Sequence, residues 1–153
     1  MKTFVSLVTF VVNRPALLAA ALVGIGWTQA SAPPAHPGGT IVEHDTEVAK
    51  AEGGPHNGGG QTVGYSFFRT TPQLSLVFRK RILKPGSGIG YHEQKEDEIY
   101  YVLSGRGVMT LDGKAVDVTP GTAVLTRPGS SHGLKQVGPE DLVILINYEQ
   151  DAK

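Results

Sequence analysis

With 153 residues, 40% of them hydrophobic and 18% charged, the chain has material for one globular domain. Its formal charge is zero, which gives no footing for nucleic-acid binding, and it has no cysteine, which excludes thiolate metal sites, thiol nucleophiles and disulfides together. Any metal has to be held by imidazole, carboxylate or amide groups.

Residues 1–32 read as an export signal. Lys2 and Arg14 are their only charges, an apolar run follows from Ala16 to Trp27, and Ala30-Ser31-Ala32 offers small residues for cleavage. That run is shorter than the roughly 20 residues a bilayer span needs, so no stable membrane span is expected after processing. An uncleaved anchor that also uses the apolar piece Phe4–Val12 is the rival reading. Cleavage removes two of the fourteen basic residues and no acidic one, leaving a faintly acidic protein expected to be periplasmic or secreted.

Residues 33–60 read as a flexible linker and glycine-rich segment. Pro33, Pro34, Pro37, Gly38 and Gly39 hold neither a helix nor a central strand, and "GGPHNGGG" at Gly53–Gly60 reads as a mobile loop. This loop lacks the phosphate-cradling pattern, and its His56 is expected to be a solvated loop histidine.

From residue 61 to residue 150 the pattern is strand and turn. "TVGYSFFR", "LSLVFRKRIL", "IGYHEQ", "DEIYYVLS", "GVMTL", "KAVDV", "TAVLT", "HGLKQ" and "DLVILINYE" are short β-rich runs, and Asp112-Gly113 is a hairpin signal. Strands this short and regularly spaced predict an all-β domain, a small antiparallel β-barrel or sandwich. Phe67, Phe68, Leu74, Leu76, Val77 and Phe78 are assigned to core and subunit contact.

The chemistry concentrates in "GSGIGYHEQKEDEIYYVLSGRG", Gly86–Gly107. Residues two apart on a strand share a face, so His92 and Gln94 point together, with Ile89, Tyr91 and Glu93 directed elsewhere. Beyond the reversal at Lys95–Asp97, Glu98, Tyr100 and Val102 share one face, and Ile99, Tyr101 and Leu103 the other. A hairpin at this reversal would bring Glu98 across the ladder to Gln94 and His92. Polar groups converging on an interior face are costly unless something satisfies them. Taken alone, the residues leave two options open: a metal site, or histidines hydrogen-bonded inside a barrel.

This stretch resembles the first motif of the cupin superfamily: glycine, five residues, H-x-H, three residues, glutamate, six residues, glycine. Gly86, His92, Gln94, Glu98 and Gly105 stand at those places, with glutamine where the second histidine is expected. "GTAVLTRPGSSHGLKQ" is similar to the second motif through Gly121, Gly129 and His132, with Arg127 in place of the usual proline and Gln136 where asparagine is common. The resemblance covers roughly Leu74 to Tyr148. It implies a jelly-roll barrel, a homodimer, and a divalent transition metal (Fe, Mn, Ni or Zn) held by His92, Glu98, His132 and Gln94. Two imidazoles and a carboxylate suit all four metals and leave positions for a substrate or water.

Around that set, Tyr100 is a candidate proton donor and Arg127 a candidate rim group for gripping a carboxylate or sugar acid. Ser130 and Ser131 have no acid partner in sequence reach and make no hydrolase triad. Whether the chain is an enzyme stays open at this level. One expectation is a metal-dependent cupin acting on a small organic acid or sugar by isomerisation, ring opening, decarboxylation or dioxygenation. The alternative is a non-catalytic barrel that binds a metal or a small ligand.

Overall fold

A computed structural model describes residues 38–150, so the expected export signal and the proline-rich start of the linker lie outside the described residues. Among the described residues ten strands carry the fold: β1 (Ala49–Gly53), β2 (Gln61–Phe67), β3 (Leu76–Leu83), β4 (Gly88–Glu93), β5 (Glu98–Ser104), β6 (Arg106–Leu111), β7 (Lys114–Val118), β8 (Ala123–Thr126), β9 (Ser131–Val137) and β10 (Leu142–Glu149). The paired strands are antiparallel and form a six-stranded sheet, β1-β2-β3-β10-β5-β8, and a four-stranded sheet, β4-β9-β6-β7. The all-β jelly-roll class read from the sequence is the observed one. Among the described residues, no helix is long and apolar enough to cross a membrane.

Period-two alternation decides which side chains enter the barrel. On β5, Glu98, Tyr100 and Val102 are buried while Ile99, Tyr101 and Leu103 are exposed, as expected for a strand covered on one face. Leu83, Val102, Met109, Val118, Leu134, Leu142 and Ile144 join in one buried cluster with Ile89, Tyr100 and Ile146. Of the six residues assigned to core and subunit contact, only Val77 is buried. Phe67, Phe68, Leu74 and Phe78 are half-buried and Leu76 is exposed. Apolar character did not distinguish the two faces of β3; the register with β10 does, by pairing Leu83 with Leu142 and Arg81 with Ile144.

The segment from residue 45 to residue 60 is more ordered than its composition suggests. It holds one helical turn, α1 (Asp45–Val48), then β1, then a 3-10 turn at Pro55–Asn57. His44 caps α1 and the Glu47 carboxylate accepts a hydrogen bond from the His44 backbone N–H, a reciprocal pair that stops the turn from fraying. β1 is fixed to β2 by register and by Arg81, whose guanidinium meets the Glu52 carboxylate at 2.7 Å and donates to Thr62 Oγ1 at 2.8 Å.

The expected hairpin between β4 and β5 is not formed. β4 pairs with β9, and β5 belongs to the other sheet, so residues 94–97 cross from one layer to the next. Glu98 therefore meets the histidines across the interior of the sandwich. The local turn signal was sound; the pairing partner was decided by strands far away in sequence. Gly105, at φ 77°, makes the later turn, and a side chain there would run into the Asp141 backbone.

Candidate metal centre

β4 and β9 place two imidazoles side by side. His92 and His132 are register partners, with ring centroids 4.5 Å apart and ring planes nearly perpendicular. A bulge between Ile89 and His92 sets the direction of His92. Strict alternation would put Ile89 and His92 on opposite faces, which was the sequence expectation. One extra residue on β4 instead turns both inward and leaves Tyr91 exposed.

Gly90, inside that bulge, has no room for a Cβ because the His56 carbonyl lies against it. His92 Nδ1–H donates to the Gly90 carbonyl at 2.8 Å, which leaves the Nε2 lone pair as the free end of the ring.

The opposite sheet supplies the carboxylate. Glu98 Oε2 stands 3.1 Å from His132 Nε2, and the potential ligand atoms of His92, Glu98 and His132 all lie within 4.8 Å of one another. Both Glu98 and His132 are buried, yet Glu98 Oε2 and His132 Nδ1 have no hydrogen-bond partner. A buried carboxylate oxygen that faces nitrogen without a hydrogen bond is costly. A cation shared by Glu98 Oε2 and His132 Nε2 removes that cost for the carboxylate. Adjacent ligands each about 2.1 Å from one ion stand about 3 Å apart, so the observed separation fits shared coordination. The donor set of two imidazoles and one carboxylate is that of a first-row transition metal.

The remaining expected residues fall into two groups. Gln94 is buried on the same cavity wall, and its amide nitrogen donates to Glu96 Oε2 at 3.3 Å, leaving the amide oxygen as its free group. Tyr100 is buried with its hydroxyl 3.1 Å from His132 Nε2. Burial, then the neighbouring Glu98 carboxylate, holds the Tyr100 pKa well above the usual phenol range, so the hydroxyl keeps its proton. Arg127, by contrast, is 71% exposed, pairs with Asp97 at 2.7 Å and lies outside the cavity wall.

His56, Arg79 and Arg81 are among the cavity residues that were not read from the sequence as part of it. His56 is exposed, as expected of a loop histidine, but it also has a ring partner. Its ring lies parallel to that of His92 with centroids 3.5 Å apart, and desolvation, then the adjacent His92, lowers its pKa. Nothing local announces that contact; the run of glycines that lets the loop approach β4 was the nearest signal. Arg79 and Arg81 also face the cavity, which has a volume of about 390 Å³, within the range of small-molecule sites. Their signal was legible: alternation in "VFRKRIL" puts both arginines on the face of Val77 and Leu83.

Comparison with known proteins agrees with this geometry. The cupin domain family matches residues 80–148. An oxalate-binding protein of Thermotoga maritima is 40% identical over 70 residues, which is 45% of this chain and 58% of that protein. An uncharacterized protein of Methanocaldococcus jannaschii is 41% identical over 49 residues, which is 32% of this chain and 39% of that protein. The chain thus spans less than two thirds of the length of either relative.

Among solved structures, one described as a predicted oxalate decarboxylase from Thermotoga maritima superposes with a TM-score of 0.66 at 28% identity, covering 71% of this chain and 98% of the other. The polyketide cyclase RemF from Streptomyces resistomycificus has a TM-score of 0.63 at 23% identity over 74% of this chain and 81% of its own, a likeness of fold.

Proposed function

The chain belongs to the cupin superfamily, and from that premise we propose that it binds a divalent transition metal through His92, Glu98 and His132 and takes a small organic acid into the cavity beside it. The observation that carries the reading is the cluster of half-buried His92 with buried Glu98 and His132, in which Glu98 Oε2 has no hydrogen-bond partner. Gln94 lines the same cavity and offers a neutral amide oxygen where the family pattern has imidazole. The oxalate-binding relative makes short carboxylates the first class to examine.

A bound metal acts as a Lewis acid toward an acid's oxygen atoms. The protein's own part is distinct. Glu98 supplies the charge that holds the ion, His92 is oriented by the Gly90 carbonyl, and Tyr100 presents a neutral hydroxyl able to donate a hydrogen bond or a proton. Decarboxylation, isomerisation, ring opening and dioxygenation remain the reaction classes for an enzyme. The second reading, a barrel that binds without turnover, is favoured by Gln94, because an amide oxygen is a weaker donor than imidazole to the late first-row metals.

Elemental analysis of protein purified without a histidine tag tests the metal. About one equivalent is expected in the wild type and almost none in His132→Ala, with the β-rich circular dichroism spectrum retained. Equal metal in both proteins defeats the site. Turnover assays with oxalate and with uronates, with and without added metal, then separate enzyme from binding protein.

Export and dimerisation belong to the same proposal. The charged start, apolar run and small residues of the first 32 positions support cleavage near Pro33, read by N-terminal sequencing. Ile99, Tyr101, Leu103 and Leu125 expose an apolar strip on the outer face of the six-stranded sheet, which supports a second copy as its partner. Sedimentation gives the mass.

A further inference from the structure

We infer that Arg79 is the carboxylate-binding residue of this cavity, and that the ligand is a short dicarboxylate with one end at the metal position and the other on the Arg79 guanidinium. This rests on the proposed function and assigns the recognition group that it leaves open.

The placement comes from register. Arg79 on β3 faces Ile146 of β10, and Ile146 faces Tyr100 of β5, so Arg79 lies in the inward-facing row that contains Tyr100. Neighbouring strands are about 4.8 Å apart, which sets the Arg79 backbone about 10 Å from that of Tyr100 and gives a long side chain room to lean over the cavity between them. The guanidinium lies 5.6 Å from the centroid of the Tyr148 ring, and that contact restrains it.

The inner-face cations of β3 differ in how they are satisfied. Arg81 has Glu52 at 2.7 Å and Thr62 at 2.8 Å. Arg79 has no carboxylate within ion-pair distance among the described residues, and its Nε–H is buried with no hydrogen-bond acceptor. Lys80, between them, points outward to Asp45 and the Tyr65 ring. An arginine turned inward without a counter-ion is expensive for a barrel, and an anionic ligand removes the expense. A guanidinium presents paired N–H donors that match a carboxylate's two oxygens, a geometry that lysine lacks.

Charge points the same way. Arg79, Arg81 and Lys95 line the cavity with Glu93, Glu96 and Glu98, equal numbers of each sign. A divalent ion on His92, Glu98 and His132 tips the balance positive, which favours an anion with two carboxylates over one with a single carboxylate.

The test uses the full chain loaded with manganese and titrated calorimetrically with acetate, oxalate, malonate and succinate, comparing wild type with Arg79→Gln and Arg79→Lys. Metal content should be equal in all three. Arg79→Gln should weaken the best dicarboxylate at least tenfold and acetate less than threefold, with Arg79→Lys between. Unchanged dicarboxylate affinity in Arg79→Gln overturns the assignment, as do equal losses for acetate and dicarboxylate, which indicate a packing role alone. Lost metal in Arg79→Gln also overturns it. A wild type that holds metal but binds none of the acids defeats the inference and leaves the metal site standing. A wild type without metal defeats the proposed function. In that case malonate binding to the metal-free chain, abolished in Arg79→Gln, supports Arg79, and no binding overturns it.

Discussion

The two ends of the barrel interior are built on the same strands and have opposite chemistry. At one end, Leu83 and Leu142 are paired on adjacent strands and enclosed with Val102, Met109 and Val118. A few residues along the same strands, the inward positions become Arg79, Tyr100 and Glu98, facing His92 and His132. The aliphatic end satisfies itself by packing. The polar end carries a guanidinium nitrogen and a carboxylate oxygen that are buried and without a hydrogen-bond partner. One end therefore supplies stability, which offsets the cost of the unpartnered groups at the other.

The contrast is broken most severely at the aliphatic end. Leu142→Ala removes a fully buried side chain and is expected to cost about 3 kcal/mol of folding stability, read by urea denaturation followed by circular dichroism. A loss below about 1 kcal/mol contradicts a close-packed interior there.

Glu98→Gln is the matching test of the polar end. The side chain keeps its shape and loses its charge, so metal affinity should fall about 100-fold, equivalent to about 2.7 kcal/mol. The metal-free protein should change stability by less than about 1 kcal/mol, because the carboxylate oxygen removed had no hydrogen-bond partner. Strong destabilisation of the metal-free variant shows instead that Glu98 is a structural partner of His132.

Gln94 sharpens the comparison within the polar end. Gln94→His is expected to tighten nickel binding about tenfold, or about 1.4 kcal/mol, since imidazole is the better donor. Gln94→Leu should weaken it. Identical nickel titrations for the three proteins mean that the residue never touches the ion.

The smallest effect at neutral pH concerns Tyr100. Its pKa is raised in the folded state, so its contribution is complete below the unfolded value near 10 and is lost as pH rises toward the folded value. Stability above pH 10 should fall less steeply in Tyr100→Phe than in the wild type, with little difference at pH 7. Parallel profiles on alkaline denaturation count against a buried, protonated hydroxyl.

Local sequence determined the strands and the residue types of the centre, because alternation and turn chemistry act over a few residues. His92, Glu98 and His132, named through the resemblance to the two cupin motifs, are side chains that converge, and β5 alternates as its sequence dictates. Tertiary structure decided everything that depends on partners distant in the chain. β9 captured β4, so Glu98 reaches the histidines across the sandwich and not along a hairpin. The bulge at Gly90 reversed the parity between Ile89 and His92, and a glycine-lined approach laid His56 on His92, because backbones can come that close only where no Cβ intervenes. Arg127 had the right chemistry, yet it pairs with Asp97 outside the cavity that Arg79 lines, because strand pairing set where the cavity lies. A side chain's type is written in the sequence, but the direction in which it is satisfied is set by which strands pair.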